Sequence, residues 1–305
     1  IKYLNYLVFK GRALLLGRLM LKECARNATD IVWTRDLYVA FLFSLRKRRG
    51  ILELHQNPNF IVQKILKILR KDFVIATISD DHYSKLQRLH LKNEIIILPM
   101  SVPNSFFTSS GKKFNKREIY EICYLGKFKS SGNDNAILSL IEDIKEASIN
   151  IRLHIIFIGI EKNYQNIIRK SLQDIEKKNL SFEILDHTEH NKLPKILSRC
   201  DIGVVPYIKS KYNNERFPIK LVEYAATRLC ILASDTPNLR NILGEDKAYY
   251  YDPTNKGSLE KTLDKIINNL EETNSKINCA FNWAKGLTYE ERVKKALRKL
   301  EKNEI

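Results

Sequence analysis

The chain has 305 residues, of which 44% are hydrophobic and 29% are charged. This is an ordinary globular mixture, so a disordered, collagen-like or coiled-coil protein is excluded, and the length predicts two domains. The net charge is +17, and residues 1–118 carry 22 basic against 9 acidic side chains. We therefore expect the first half to face an anionic surface, either nucleic acid or the phosphate face of a bilayer; the alternative is a solvated basic surface.

The most apolar stretch at the start of the chain, residues 4–21, is interrupted by Lys10, Arg12 and Arg18. A membrane span needs about 20 nearly uncharged residues, so neither a spanning helix nor a signal peptide is predicted. The five cysteines have no metal-binding spacing and are typical of free thiols in a reducing compartment. We therefore expect a cytoplasmic protein.

Short β-branched runs alternate with helical segments along the chain, which is the pattern of parallel sheets with helical crossovers. In the first half the predicted strands are 30–34, 51–55, 73–79 and 94–98. The segment 99–117 carries Pro, Ser, Gly and charge without a period, and is predicted to be the interdomain linker. In the second half the predicted strands are 119–125, 153–158, 182–185, 202–205, 229–233 and 248–251.

These elements predict an α/β fold of two doubly wound, Rossmann-like units. A final amphipathic basic helix, 289–302, has no strand after it. Two such units in series are expected to place the carboxyl ends of two parallel sheets across one cleft, where ligands of such sheets bind. Since fold alone does not give function, the residues at those strand ends decide what is bound.

The most informative segment, 200–235, combines a strand, a polar loop and a helix. The helix is predicted to begin near Phe217, with Pro218 in its first turn. Its first amides have no internal partners and carry the positive end of the helix dipole, so they form an anion site. Glu215 lies just before this helix and Glu223 within it, and a carboxylate accepts two hydrogen bonds from the vicinal hydroxyls of a sugar or ribose. The alternative makes Glu215 a first-turn acid and Glu223 a surface residue.

Glu215 and Glu223 match the Glu-x7-Glu motif of the retaining nucleotide-sugar glycosyltransferases of family four, which have the GT-B fold. The chain resembles that family over most of its length. The other matching segments are 34–36, 52–55, the strand that ends at Ser79, 97–99 with Val102 and Phe106, 124–127, and 229–235 with Ala225 and Ala226 before it. The resemblance implies an acceptor-side domain at 1–117 that lacks its first βα unit, a nucleotide-sugar-binding domain at 118–285, and a C-terminal helix at 286–305 that packs back toward the first domain.

The resemblance also implies roles for these residues. The first glutamate of the motif contacts donor-sugar hydroxyls and the second binds the ribose, which gives these roles to Glu215 and Glu223. The diphosphate is expected at the start of the helix, at Phe217, Pro218, Ile219 and Lys220. In the family a cation follows the glycine that ends the first strand of this domain; here these are Gly126 and Lys127.

Two further candidates come from the resemblance. Where the family has a second lysine before a glycine, this chain has Ser131, so Lys129 is the candidate to replace that lysine; the alternative is a solvated lysine. His55 ends the second predicted strand and is expected to contact the donor sugar; the alternative is a hydrogen-bonded strand-end histidine. Glu53 and Arg35 either meet the acceptor or pair with each other.

The implied activity is a retaining transfer of a sugar from a nucleotide-diphosphate sugar to a hydroxyl acceptor, in polysaccharide, lipopolysaccharide or glycolipid assembly. Negative charge grows on the departing phosphate, and Lys127 and the helix start stabilise it, so no metal and no cofactor is expected. Asp80 and Asp81 are predicted to begin a helix after Ser79 rather than to bind a metal. The alternative function is a non-catalytic sugar-nucleotide-binding or partner subunit. Nucleic acid is not an expected partner, since no recognised motif supports it.

The basic segment 60–71 alternates apolar and cationic residues at helical spacing. Together with residues 46–49 it is expected to rest on anionic lipid, which places the protein at the inner face of the membrane. The alternative is a crossover helix that packs on the sheet with a solvated back.

Overall fold

A computed structural model describes residues 31–107, 111–129, 136–147, 151–173, 179–208 and 216–301, together with residues 15, 18–20, 22 and 213. The chain divides into two compact units. The first comprises Ile1–Met100, Glu215–Phe217 and Glu290–Ile305, and the second comprises Ser101–Asn214 and Pro218–Tyr289. Among the residues that the structure describes, one sheet has four strands and the other has six, all parallel, so the predicted α/β fold of two Rossmann-like units is confirmed.

The first unit contains a sheet whose strands follow one another in chain order. Its strands are β1 (Ile31–Thr34), β2 (Arg49–Leu54), β3 (Phe73–Thr77) and β4 (Ile95–Ile97). Its crossover helices are α1 (Leu37–Leu45), α2 (Phe60–Ile68) and α3 (Asp80–Gln87). Because parallel crossovers are right-handed, this strand order places all three helices on one face of the sheet.

The second unit contains the larger sheet. Its strands are β5 (Ile119–Leu125), β6 (Arg152–Ile158), β7 (Leu180–Leu185), β8 (Ile202–Val205), β9 (Cys230–Ser234) and β10 (Tyr249–Tyr251). Its helices are α4 (Ala136–Glu146), α5 (Lys162–Leu172), α6 (Leu193–Leu197), α7 (Ile219–Ala226), α8 (Pro237–Leu243), α9 (Ser258–Asn268) and α10 (Leu270–Lys285). The strand order is β10-β9-β8-β5-β6-β7, so the winding reverses between β5 and β8. Such a switch point opens a crevice at the carboxyl ends of the strands.

The C-terminal helix α11 (Tyr289–Glu301) completes the first unit. Successive side chains of a strand point to opposite faces of the sheet, so Leu52 packs among the crossover helices while Ile51 faces the other side. On that other side Ala296 and Leu300 of α11 are buried against the sheet. The helix therefore supplies part of the cover that the three crossover helices, all on the opposite face, do not provide.

Helix α7 is fixed closely to the middle of the second sheet. A Cβ atom at Gly203 of β8 would lie 2.5 Å from the ring of Tyr224, so only glycine permits this approach. The Tyr224 hydroxyl accepts a hydrogen bond from the amide of Leu125 at 2.8 Å. The end of β5 and the helix are thereby held in one arrangement.

Several element ends differ from the prediction. Strand β2 ends at Leu54, so His55 is the first residue after it. The amphipathic helix predicted over 60–71 ends at Ile68, because Leu69 is extended and the Ser44 hydroxyl accepts from the amide of Arg70. Helix α7 begins at Ile219 rather than near Phe217, because Pro218 is itself extended and is the capping residue. The helix predicted after Ser79 is confirmed, and the Ser79 hydroxyl caps it.

The described residues of the segment predicted as a linker belong to the second unit from Ser101 onward. Val102 forms a parallel bridge with Thr288, and both Phe106 and Phe114 are buried. Within the described part of the chain, no helix is both long enough and apolar enough to cross a membrane.

Candidate functional site

A pocket of about 730 Å³ lies at the carboxyl ends of β5, β6 and β7 in the second unit. This is the size of a small-molecule site. Its lining residues come from the loops after the three strands and from the start of α6: Leu125, Gly126, Lys127, Ile158, Gly159, Glu161, Lys162, Asp186, His187, Thr188, His190 and Leu193. The lining thus mixes exposed backbone with groups of both charges.

Two glycines allow the loops after β5 and β6 to lie close together. Gly126 has a φ of +145°, and a Cβ atom there would lie 3.0 Å from Nζ of Lys220 and 3.1 Å from the Tyr124 hydroxyl. Gly159 has a φ of +89°, and its Cβ would lie 3.6 Å from the carbonyl oxygen of Gly126. Both positions favour glycine, so backbone lines the pocket here without a side chain in the way.

The start of α7 lies beside the same strand end. Pro218 makes no side-chain cap, and the first bond of the helix runs from the amide of Leu221 to the Pro218 carbonyl at 3.1 Å. The amides of Ile219 and Lys220 precede that bond and carry the positive end of the helix dipole. They suit an anion.

The ammonium of Lys220 stands at this helix start among aromatic rings. Its Nζ lies 4.4 Å from the ring centre of Tyr124 and 5.8 Å from that of Tyr207. Burial lowers the pKa of Lys220 to about 8, and the charge of Glu223 opposes this shift. A cation that is costly to keep charged in this position favours the arrival of an anion.

Lys127 follows Gly126 on a loop whose backbone is fixed. The Tyr124 hydroxyl donates to the carbonyl of Lys127 at 3.0 Å, and the amide of Phe128 donates to Glu161 at 2.9 Å. The side chain of Lys127 is exposed at the pocket. Lys129 is also exposed, but its Nζ lies 5.4 Å from the ring centre of Tyr164, which stacks on Phe128.

Glu223 is buried, so the alternative of a surface residue is wrong. Its Oε1 accepts from Nε2 of His190 at 2.9 Å, and this hydrogen bond raises the pKa of His190. The imidazole packs on the ring of Phe106 with 4.9 Å between centres. A carboxylate predicted from the motif and a histidine that no motif indicated therefore form one pair at the pocket.

The first unit has its own polar cluster at the end of β2. Glu53 is buried and accepts from His55, from Arg292 at 2.8 Å and from Nε1 of Trp33 at 3.0 Å. Burial by itself raises the pKa of Glu53, but these donors outweigh it and lower the pKa to about 2. Glu53 therefore has Arg292 as its arginine partner instead of Arg35.

The structure gathers part of the predicted site in the second unit. Gly126, Lys127, Lys129, Pro218, Ile219, Lys220 and Glu223 belong to that unit. His55 belongs to the first unit, Phe217 is grouped with the first unit by its contacts, and Glu215 lies outside the described residues. Among the residues that the structure describes, no three His, Cys, Asp or Glu side chains form a group that could hold a metal ion.

Sequence reasoning missed His190, Gly159, Glu161 and Arg292. Gly159 was accessible to it, because this glycine follows β6 as Gly126 follows β5, at the same edge of the sheet. Arg292 and His190 carry no local signal. Their partners, Glu53 and Glu223, lie far away in the sequence, and only the fold brings them together.

Comparison with known families gives one match. The profile of the family described as Glycosyl transferases group 1 matches residues 107–283, which is more than half of the chain and includes the pocket. A search of curated proteins finds no match.

Solved structures resemble the whole fold. A glycosyltransferase from Rickettsia africae has a TM-score of 0.75 at 13% identity, over 95% of this chain and 81% of its own. Sucrose-phosphate synthase from Thermosynechococcus elongatus has a TM-score of 0.69 at 14% identity, over 94% of this chain and 78% of its own. HepE from Anabaena in complex with UDP has a TM-score of 0.67 at 10% identity, over 94% of this chain and 82% of its own. Another HepE structure contains UDP-glucose. At these identities the likeness concerns the fold, and the predicted GT-B fold is confirmed.

Proposed function

The chain belongs to the glycosyl transferases group 1 family, and from this premise we propose that it is a retaining transferase of family four. It moves a sugar from a nucleotide-diphosphate sugar to a hydroxyl acceptor. The observation that carries the proposal is that four residues lie together beside the pocket, at the carboxyl edge of the second sheet: Gly126, Lys127, Lys220 and Glu223. The complexes of HepE with UDP and UDP-glucose support a donor of this class.

The diphosphate of the donor binds where α7 begins. The amides of Ile219 and Lys220, the ammonium of Lys220 and the side chain of Lys127 supply positive charge at the backbone of Gly126. When the bond between the sugar and the terminal phosphate breaks, negative charge grows on that phosphate. Fixed donors and cations stabilise the charge more in the transition state than in the bound donor, which is what raises the rate.

These groups supply the charge without a metal, and we propose a metal-independent reaction with no cofactor. Lys127 is the first cation, because its side chain is exposed at the pocket. Lys129 remains a predicted second cation; the position of its ammonium over Tyr164 makes Lys220 the stronger candidate. Substitution of Lys129 and of Lys220 in turn tests which of them is the second cation.

Glu223 binds the ribose through the lone pairs that His190 leaves free. In the proposal Glu215 and His55 contact the donor sugar, a role that rests on the resemblance alone. His55 is held by Glu53, so its ring has a fixed orientation in the first unit.

Helix α2 supports a membrane-associated setting, in lipopolysaccharide, polysaccharide or glycolipid assembly. Leu66 packs into the core, while Phe60, Ile61 and Ile68 are 69%, 49% and 63% exposed. Lys64 and Lys67 are exposed on the same short helix. Apolar side chains among cations fit an anionic lipid surface at the inner face of the membrane. Packing on the sheet and contact with lipid are therefore compatible in this helix.

The test is a donor assay. The protein is incubated with UDP- and GDP-sugars, with water or a lipid extract as acceptor, and release of the nucleoside diphosphate is measured. The configuration of the product is read by NMR. We expect the nucleoside diphosphate to be released and the product to have the same anomeric configuration as the donor. Inversion would contradict the retaining mechanism, and tight binding without release would favour the non-catalytic subunit.

A further inference from the structure

The carboxylate of Glu223 is enclosed with a single side-chain donor among the described residues. Its side chain is 4% exposed, and its Oε1 accepts from Nε2 of His190. A buried carboxylate is costly unless hydrogen bonds compensate it. One donor satisfies only part of its accepting capacity, since an ionised carboxylate has about four lone-pair sites.

The imidazole of His190 has two different neighbours. One is the carboxylate of Glu223, and the other is the ring of Phe106, which lies 4.9 Å away between ring centres at an interplanar angle of 41°. The side chain is still 41% exposed and lines the pocket. His190 is therefore the group through which the pocket meets the buried carboxylate.

We propose that His190 is a positioning residue for ribose recognition. Packed on Phe106 and hydrogen-bonded to Glu223, it holds that carboxylate in the orientation in which its free lone pairs accept from the vicinal hydroxyls of a bound ribonucleotide. The inference rests on the proposed function, and it adds the requirement that discrimination for the ribose diol depends on His190 as well as on Glu223.

The test compares ribonucleotides with analogues that lack the diol. UDP, GDP and ADP are titrated into the wild type by calorimetry, and the tightest is paired with its 2′,3′-dideoxy form. We expect the wild type to prefer the ribonucleotide at least tenfold. His190→Ala is expected to weaken the ribonucleotide about tenfold and leave the dideoxy form within twofold, because a positioned charged acceptor is lost.

Two further variants separate positioning from packing. His190→Gln retains an N–H donor for the carboxylate and is expected to keep most of the diol preference. In a Glu223→Gln background, His190→Ala is expected to add little, because the two residues act as one unit. Thermal unfolding of each variant checks that the fold is intact.

Equal weakening of the ribonucleotide and its dideoxy form by His190→Ala would overturn the inference, and so would an unchanged preference. In both cases nucleotide binding by the wild type would leave the proposed function standing. If the wild type binds none of the three nucleotides, the proposed function fails and the inference fails with it.

Discussion

Charged side chains near the carboxyl edges of the two sheets differ in how many partners they have within the protein. At the first sheet, Glu53 accepts from three side chains, including Arg292 of the C-terminal helix. At the second sheet, Glu223 has one side-chain donor, and Lys220 contacts aromatic rings rather than a carboxylate among the described residues. Charges that satisfy one another hold the structure together, whereas charges left partly unsatisfied remain available to a ligand.

The pKa values follow the same division. Donors lower the pKa of Glu53 to about 2, so its charged form is strongly favoured in the folded protein. Burial lowers the pKa of Lys220 to about 8, so its charged form is less favoured than in water and would be stabilised by a bound anion. The first cluster is therefore expected to contribute to folding, and the second is proposed to contribute to binding.

The largest expected effect concerns Lys127, at the carboxyl edge of the second sheet. Lys127→Ala is expected to lower turnover about ten- to a thousandfold, the range for losing one stabiliser of developing charge. Lys129→Ala is the matched control and is expected to have a much smaller effect, because its ammonium lies over Tyr164. Release of nucleoside diphosphate from the donor measures both. A loss from Lys129→Ala as large as that from Lys127→Ala would make Lys129 the second cation.

The same assay tests the role of metal. Turnover is expected to be unchanged by a chelator, since protein cations and helix amides are proposed to stabilise the leaving group. Activity abolished by the chelator and restored by a divalent ion would contradict the metal-independent mechanism.

The next prediction is a loss of stability when the Glu53 cluster, at the carboxyl edge of the first sheet, is broken. Glu53→Gln is expected to destabilise the first unit by about 3 kcal/mol, because Arg292 loses a buried ionic partner. Glu94→Gln is the control, because the Glu94–Lys299 pair also joins α11 to the rest of the first unit. This pair is more exposed, so it is expected to contribute below about 1 kcal/mol. Denaturation followed by Trp33 fluorescence in a Trp283→Phe background reports on this unit. Equal effects of the two substitutions would contradict the account.

The Glu53 cluster also predicts a pH dependence. The folded pKa of Glu53 is lowered to about 2 from an ordinary value of 4.5. Its stabilisation is therefore present above about pH 4.5 and is lost as the pH falls toward 2. Wild type and Glu53→Gln should accordingly differ less in unfolding free energy at pH 3 than at pH 7. A constant difference would remove Glu53 as the cause.

Lys220 predicts that affinity falls at alkaline pH. Only the protonated ammonium attracts the diphosphate, so affinity is full well below pH 8 and falls above it, by about tenfold at pH 9. Lys220→Arg should bind with little change over this range, because the guanidinium stays charged. A titration of Kd against pH for both proteins makes the comparison. Parallel curves would show that another group titrates.

The last prediction concerns helix α2 and the two basic residues that follow it, Arg70 and Lys71. Replacing Lys64, Lys67, Arg70 and Lys71 with Gln is expected to weaken sedimentation with anionic vesicles, at about 1 kcal/mol per basic residue near the surface, and to leave nucleotide binding unchanged. High salt should release the wild type. Phe60→Ser tests the apolar part of the same face. Normal sedimentation of the fourfold variant would remove lipid binding from the role of this helix.

The sheets could be predicted because their signal is local. Strands β5 and β8 begin and end where their β-branched runs do, and the helix start after Ser79 follows from one capping residue. The start of α7 was misplaced because a proline is as compatible with a capping position as with a first turn.

The site could be predicted only in part. A spacing of eight residues indicated Glu223, but it could not show that the carboxylate is buried or that His190, 33 positions earlier, donates to it. The partner of Glu53 was equally hidden, since Arg292 lies in a helix at the other end of the chain. Partners of this kind are set by the packing of distant elements.

The most direct test of the central claim is calorimetry with UDP and GDP on three proteins: wild type, Glu223→Ala and Glu53→Gln. We predict that the wild type binds one of the nucleotides, that Glu223→Ala weakens binding at least tenfold, and that Glu53→Gln leaves it unchanged because its cluster belongs to the other unit. Equal affinity of the wild type and Glu223→Ala would contradict the claim that the edge of the second sheet is the nucleotide site.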